Sequence, residues 1–289
     1  MNREEKEEEE EEEIVCLDES FFINDNYQLT TFTFGSQVIE LLCLHSSSTD
    51  FDLTGQLVWP GAMLLNDYLA KNAEMLRGCS IIELGSGVGV TGILCSRFCR
   101  QLLLTDHNDE VLKILKKNIE LCVSSENPNC CTELAAEKLE WGNSDHIDQI
   151  LQRYSGGFDL ILGADIYILI AFLLSFSRKI AICFKKLACS TVDDLKTILN
   201  GHHYAYCDLS SHMYFQQSSI PFLFDTVEHL LHVRGGQCKF ILAYISRAKT
   251  MDSLIMKQAA EHGMRMVEVT GTRSVVANLE GVIFEVTLQ

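Results

Sequence analysis

One stretch of the chain has the residue types and spacing to bind a nucleoside cofactor. It reads Glu-Leu-Gly-Ser-Gly-Val-Gly over Glu83–Gly89 and lies between a predicted strand and a predicted helix. Glycines let the backbone turn tightly and approach a ligand closely, and the start of a helix offers free amide groups. Asp106 lies 21 positions after Gly85, at the end of the next predicted strand. A carboxylate there can accept hydrogen bonds from the ribose hydroxyls of an adenosine, although Asp106 could also cap the helix that follows.

Two kinds of enzyme use such a loop: nicotinamide oxidoreductases and S-adenosylmethionine methyltransferases. The dinucleotide fingerprint requires a third glycine at position 90, which lets the helix pack closely while a pyrophosphate sits on its first turn. Here that position is Val90. The methyltransferase form instead has an acid two residues before the first glycine, which Glu83 supplies. The sequence therefore favours S-adenosylmethionine over NAD.

The elements around this loop alternate in type. Short apolar runs at 80–84, 102–105, 158–162 and 240–244 predict buried strands, and amphipathic stretches at 90–99, 108–122 and 250–262 predict helices between them. Before them, 32–44 predicts two short strands, and a helix begins at Trp59-Pro60-Gly61 and continues to Leu76. After them, 265–270 and 282–288 predict an antiparallel hairpin at the sheet edge. The alternation predicts a doubly wound α/β sheet that is mainly parallel.

One connection is too long for this scheme. The strand that ends in Gly163-Ala164-Asp165 is followed by a helix that starts near Pro221, whereas α/β connections normally take about two to six residues. We therefore predict an insert at about 167–212. The domain organisation that we expect is a disordered acidic tail at 1–13, a β extension at 14–56 and one α/β domain at 57–289 that the insert interrupts.

The charge of the chain limits its partners. The formal net charge is −17, and the nine Glu and two basic residues of the tail account for −7 of it, which leaves −10 for the rest. The chain outside the tail is therefore also acidic and repels phosphate backbones, which argues against nucleic-acid binding. Basic protein surfaces or cationic small molecules are better suited as partners.

The cysteines and the apolar runs indicate the compartment. Twelve cysteines are spread through apolar segments and form no pair with zinc spacing, so we predict reduced thiols and no metal site. The N-terminus has no secretory or organellar signal, and the longest apolar run, Ile166–Phe176, is too short to cross a bilayer. We expect a protein of the cytoplasm, with the nucleus left open, that does not bind membranes.

The motifs together resemble a known family. Trp59, Glu83–Gly89, Leu-Thr-Asp at 104–106, Leu-Glu-Trp-Gly at 139–142 and Phe-Asp-Leu-Ile-Leu-Gly-Ala-Asp at 158–165 look like those of the seven-β-strand lysine methyltransferases of methyltransferase family 16, the methyltransferase-like protein 21 group. The resemblance is close over 57–165 and looser over 214–289. It implies a class I S-adenosylmethionine methyltransferase fold with a seven-stranded sheet. It also implies cofactor contacts from Trp59, Gly85, Ser86, Gly87, Asp106, Trp141 and Ala164, although either tryptophan could simply pack in the core.

The family also has an Asp-x-x-Tyr motif after the fourth strand of its sheet, and the resemblance implies that this carboxylate and hydroxyl surround the incoming lysine ammonium. Here the chain reads Asp165-Ile166-Tyr167-Ile168, so the tyrosine comes one position early. Removing 167–212 would join Ile166 to Met213-Tyr214 and restore the motif. Asp165, Tyr214 and Tyr167 are therefore the catalytic candidates, and the insert puts activity in question.

The sequence therefore predicts a monomeric methyltransferase that transfers a methyl group to a lysine of a protein substrate. Two alternatives stay open. The acceptor could be a small molecule, or the chain could be a catalytically weak adenosyl-binding or adaptor protein.

Overall fold

The computed structural model describes residues 27–44, 51–124, 131, 133–165, 219–247 and 249–289. The predictions for the tail at 1–13, for the insert at 167–212, and for Tyr167 and Tyr214 lie outside these residues. Within them the chain forms ten strands and six α-helices. The strands are β1 (Gln28–Phe34), β2 (Gln37–Cys43), β3 (Ser80–Leu84), β4 (Gln101–Asp106), β5 (Glu133–Lys138), β6 (Leu160–Ala164), β7 (Lys239–Ser246), β8 (Met264–Glu268), β9 (Ser274–Val276) and β10 (Leu279–Leu288). The helices are α1 (Pro60–Lys71), α2 (Val90–Cys95), α3 (Asp109–Ser124), α4 (Ser144–Arg153), α5 (219–233) and α6 (Lys249–Glu261).

Seven strands form one continuous sheet in the order β5-β4-β3-β6-β7-β10-β8, and the short β9 pairs with β10. The first five strands are parallel to their neighbours, whereas β10 runs antiparallel to both β7 and β8. The doubly wound, mainly parallel sheet and its antiparallel C-terminal hairpin are thus confirmed. The strand order reverses between β3 and β6, and ligands bind open α/β sheets at such a point.

Helices cover both faces of this sheet. Alternate strand residues point to opposite faces, so Ile81 and Ile82 lie in two different apolar clusters. One cluster packs against α1, α2, α3 and the β1–β2 hairpin, and the other packs against α4, α5 and α6. Both clusters are closed to water, which explains why the central strands have almost continuous apolar sequences. No helix in the described ranges is both long and apolar enough to span a membrane.

The helix predicted through Leu76 is shorter than expected. Its α-helical part ends at Lys71, because the backbone leaves the helical conformation at Asn72, whose side chain also donates a hydrogen bond to the Tyr68 carbonyl oxygen at 2.8 Å. Ala73–Leu76 then form a separate 3-10 turn. The predicted start, with Trp59 before Pro60, is confirmed.

The β1–β2 hairpin is held to the body by a fully buried amide. The Asn118 side chain accepts a hydrogen bond from the Leu42 amide at 2.8 Å and donates to the carbonyl oxygens of Leu42 and Val88, each at 2.9 Å. Val88 belongs to the glycine-rich loop. One side chain of α3 therefore joins the N-terminal hairpin to that loop.

Candidate functional site

The glycine-rich loop connects β3 to α2 at the carboxyl end of the sheet. Gly85 and Gly87 have φ angles of +65° and +54°, in the left-handed region that disfavours other residues. At Gly87 a side chain is also excluded by space, because a Cβ would lie 2.6 Å from the Gly55 carbonyl oxygen. The loop therefore turns tightly, and at Gly87 it packs directly against the backbone of the 3-10 segment Phe51–Gln56. Its close approach to a ligand stays a prediction.

Hydrogen bonds join this loop to the end of β4. The Ser86 amide donates to the Thr105 carbonyl oxygen at 2.8 Å, and the Thr105 amide donates to the Ser86 hydroxyl at 3.1 Å. Asp106, only 6% exposed, accepts a hydrogen bond from the Gly87 amide at 3.1 Å. Asn108, not Asp106, accepts from the first amides of α3, so a helix cap is not the role of Asp106. Asp106 lies beside the loop, as a ribose-binding carboxylate requires.

Glu83 lies under the same loop and is buried, with 3% of its surface exposed. Burial raises the pKa of its carboxyl from an ordinary 4.5 to about 7; hydrogen bonds from Ser86 and the Gly92 backbone lower it, and the nearby charge of Asp106 raises it. Among the described residues, its Oε2 atom has no hydrogen-bond partner. A buried acid with a spare oxygen suits a ligand that brings a positive charge or a proton donor to the loop.

The loop after β5 brings Trp141 to the same edge of the sheet. The Leu139 amide donates to the Asp106 carbonyl oxygen at 3.0 Å, so the loop starts beside Asp106. The Gly142 amide donates to the Thr226 hydroxyl of α5 at 2.9 Å. Trp141 is half-buried and packs partly against the cluster that includes α4 and α5, so its contact with adenine stays a prediction.

Phe222 of α5 was not found by the sequence analysis. It is 51% exposed, and its ring lies so close to Gly142 that a Cβ there would be 2.7 Å away. Phe222 is an apolar residue more than a hundred positions after the glycine-rich loop, so nothing in the sequence around it indicates a place at the site. Only the pairing of α5 with the loop after β5 shows that Phe222 lies at the site.

The end of β6 carries Ala164 and Asp165, where the sequence predicted the acceptor side of the site. The Asp165 side chain is completely buried. One of its oxygens accepts a hydrogen bond from the Gly61 amide at 2.7 Å, and the other forms an ion pair with Arg247. The sequence analysis did not single out Arg247, although its position just after β7 places it at this edge. A direct contact of Asp165 with a lysine ammonium stays a prediction, and both oxygens already have partners.

The structure thus gathers the predicted residues at one edge of the sheet. They lie in the last residues of β3, β4 and β6, in the loops after β3, β5 and β6, or just before α1, on both sides of the reversal in strand order: Trp59, Glu83, Gly85, Ser86, Gly87, Asp106, Trp141, Ala164 and Asp165. Their roles as ligand contacts stay predictions. In the part of the chain that the structure describes, no three His, Cys, Asp or Glu side chains are grouped to hold a metal ion.

These residues fit S-adenosylmethionine. Asp106 offers a carboxylate beside the glycine-rich loop that can accept hydrogen bonds from ribose hydroxyls, and the positive φ angles of Gly85 and Gly87 allow the tight turn of that loop. Glu83 adds the unsatisfied buried oxygen described above, which complements a cofactor that carries positive charge.

Comparison with known proteins gives the site a family context. A family model described as "Lysine methyltransferase" matches residues 42–192, just over half of the chain, and so extends beyond Asp165 into the predicted insert. Protein N-lysine methyltransferase METTL21A of Mus musculus is 36% identical over 141 residues, which are 48% of this chain and 57% of that protein. EEF1A lysine methyltransferase 3 of Xenopus tropicalis is 36% identical over 109 residues, 38% of this chain and 43% of that protein. The chain thus spans about half the length of these relatives. A solved O-methyltransferase from Bacillus cereus, in complex with SAH, aligns over 82% of this chain and 85% of its own with a TM-score of 0.45 and 14% identity.

The buried carboxyl of Glu83 generates a prediction about pH. An acid whose pKa rises from 4.5 to about 7 on folding holds its proton more tightly in the folded protein, so folded-state stability is lost as the pH rises through this window. Relative to Glu83→Gln, the wild type should lose on the order of 3 kcal/mol of unfolding free energy between pH 4.5 and 8, with no further change above that. Urea denaturation without ligand measures this. Glu74→Gln is the matched control: the side chain is 81% exposed, so this variant should lose unfolding free energy with pH as the wild type does. If the unfolding free energies of wild type and Glu83→Gln change in parallel with pH, the account is refuted.

Proposed function

The chain belongs to the lysine methyltransferase family, and from that premise we propose that it binds S-adenosylmethionine and methylates a lysine of a protein. The observation that carries the proposal is the braced loop at Glu83–Gly89 with Asp106 hydrogen-bonded to it. The names of the relatives support a lysine acceptor, because they are described as methyltransferases of protein lysine and of EEF1A lysine.

The residues at the carboxyl edge of the sheet divide the work of cofactor binding. Asp106 would accept hydrogen bonds from the ribose hydroxyls, since each carboxylate oxygen can accept more than one. Trp141 would lie along the adenine, and Trp59 and Ala164 would border the opposite part of the site. The cofactor itself supplies an activated methyl group on a sulfonium sulfur. The protein therefore has to orient and enclose it more than to react with it.

The acceptor side of the site needs a neutral amine. A lysine nitrogen attacks only after it loses its proton, and it must approach the methyl carbon in line, at about 3–3.5 Å. The sequence predicted that Asp165 and a tyrosine hydroxyl, from Tyr214 or Tyr167, surround this amine. Positioning accounts for most of the rate in such a displacement, so the elements that end at Asp165 decide how well the acceptor is held.

The charge of the chain and its free thiols support the remaining proposals. Five cysteines of the described ranges carry free thiols, which suits a reducing compartment: Cys43, Cys79, Cys95, Cys99 and Cys238. We therefore propose that the protein acts in the cytoplasm or the nucleus, and, as predicted from the sequence, that it is a monomer. The net charge of −17 favours a substrate whose lysine lies on a basic surface and disfavours nucleic acid.

Calorimetry with S-adenosylhomocysteine and with NAD tests the cofactor. We expect binding of the first and none of the second, because position 90 is valine and Glu83 precedes the loop. Asp106→Ala should weaken binding by about 1.5–3 kcal/mol, the usual contribution of a hydrogen bond to a charged group. Asp109→Ala, which removes an exposed carboxylate three residues away, is the control. Binding of NAD alone would overturn the proposal, and an unchanged affinity would remove Asp106 from the site.

Deleting 167–212 tests the predicted insert. The shortened chain should transfer tritiated methyl groups to lysate proteins faster than the full chain, because Asp165 and Tyr214 then take the spacing of the family motif. An error near 1 Å in acceptor placement costs on the order of a hundredfold in rate. Affinity for S-adenosylhomocysteine should change little.

In the shortened chain, Tyr214→Phe should slow transfer without weakening cofactor binding, and Tyr167→Phe in the full chain is the matched comparison. Equal transfer rates with and without 167–212 would show that the full chain already builds its acceptor site, with Tyr167 as the hydroxyl. Cofactor binding without transfer by either form would favour the adenosyl-binding or adaptor alternative.

A further inference from the structure

Asp165 and Arg247 form an ion pair that is closed to solvent. The Asp165 side chain has no exposed surface, and only 7% of the Arg247 side chain is exposed. Arg247 directly follows β7, and Asp165 directly follows β6, so the pair links the ends of two neighbouring parallel strands. A buried carboxylate without a counter-ion is strongly unfavourable, so Arg247 allows Asp165 to stay both charged and dry.

The other oxygen of Asp165 fixes the beginning of α1. It accepts a hydrogen bond from the Gly61 amide at 2.7 Å, in the first turn of the helix, where backbone amides have no partner within the helix. The fit is close, because a Cβ on Gly61 would lie 2.8 Å from the Asp165 Cβ. Trp59, the predicted cofactor contact, is only two residues before Gly61.

The backbone of Asp165 is also held in an unusual conformation. Its φ angle is +54°, in the left-handed region that costs energy for a residue other than glycine. Its amide donates to the Ala243 carbonyl oxygen of β7 at 3.1 Å. Contacts from α1, β7 and Arg247 therefore hold Asp165 in this strained conformation. Strained residues that several contacts keep in place are found where the geometry matters for function.

We propose that Arg247 is a positioning residue of the cofactor site, which holds Asp165 so that Asp165 fastens the start of α1 and thereby places Trp59. This proposal rests on the proposed function and changes one part of it. Asp165 holds the start of α1 on the cofactor side, since its side chain is completely buried and offers a lysine ammonium no accessible surface. The acceptor amine is then oriented by groups other than this carboxylate.

The two tryptophans of the chain allow a direct spectroscopic test. In a Trp141→Phe background, Trp59 is the sole tryptophan, and its emission reports on the start of α1. In the wild-type arrangement its indole Nε1 donates to the Thr54 carbonyl oxygen at 2.9 Å, and the ring is half-buried. Arg247→Met should shift the Trp59 emission to the red and increase its quenching by acrylamide, well below the melting temperature.

Cofactor affinity, measured with both tryptophans present, is the second readout. Arg247→Met should weaken binding of S-adenosylhomocysteine by about tenfold or more, because an unpaired buried carboxylate favours any conformation that lets water reach it. Arg247→Lys should recover most of the affinity and of the native emission. Arg273→Met is the matched control, since it also removes an ion-paired guanidinium, but one whose side chain is 48% exposed and pairs with Glu268 and Glu280.

Three results would overturn the proposal. In Arg247→Met, a lower melting temperature with native Trp59 emission and native affinity would mean that the ion pair only stabilises the fold. Unchanged affinity with slower transfer of tritiated methyl groups to lysate proteins would return Asp165 to the acceptor side. If Arg247→Met does not fold, Gly61→Ala decides, because it displaces Asp165 without removing a charge, and native emission and affinity in that variant would refute the proposal.

These outcomes are separable from failure of the proposed function. A wild-type chain that binds no S-adenosylhomocysteine would refute the methyltransferase proposal. The emission of Trp59 would still show whether Arg247 and Asp165 hold the start of α1.

Discussion

A carboxylate that is removed completely from water needs a partner for each oxygen, and Asp165 meets this requirement with groups from two other parts of the chain. The Gly61 amide ties it to α1, and Arg247 ties it to the end of β7. Because β6 borders the reversal in strand order, this single residue aligns the helix that crosses the sheet edge with the strands beneath it. Position 61 has to be glycine for the same reason: a methyl group there would occupy the space of the Asp165 side chain.

On the other side of the reversal, the glycine-rich loop is fixed by the protein's own hydrogen bonds. Ser86 and Thr105 exchange two of these hydrogen bonds. The Asp106 carboxylate accepts another from the Gly87 amide, and the Asn118 side chain donates one to the Val88 carbonyl oxygen. A loop held in this way before a ligand arrives loses little conformational freedom on binding. The candidate site therefore has two halves that hydrogen bonds hold in place: a loop bonded to β4 and α3, and a helix start bonded to the ends of β6 and β7. We propose that the cofactor binds between these two halves and contacts both.

The sequence was most informative where a local pattern dictates structure. Buried strands such as β3 and β4 have short, mostly apolar sequences, and Trp59-Pro60 marks the start of α1, so these strands, that helix start and the loop between β3 and α2 were predicted correctly. No strand was specified over Glu133–Lys138, because β5 is an edge strand whose sequence, Glu-Leu-Ala-Ala-Glu-Lys, is partly exposed and only weakly apolar. Arg247, Phe222 and Thr226 were missed for a different reason: their contacts join segments 80 or more residues apart, which no spacing along the chain indicates.

The central claim, that this chain methylates protein lysine, is tested most directly by identifying the acceptor atom. The protein would be incubated with lysate and S-adenosylmethionine that carries a deuterated methyl group, and the precipitated protein would be digested and analysed by mass spectrometry. The account predicts the heavy methyl group on the ε-nitrogen of lysine, and the Asp106→Ala variant should lose the signal. A heavy methyl group confined to small molecules, or found on protein atoms other than lysine nitrogen, would contradict it.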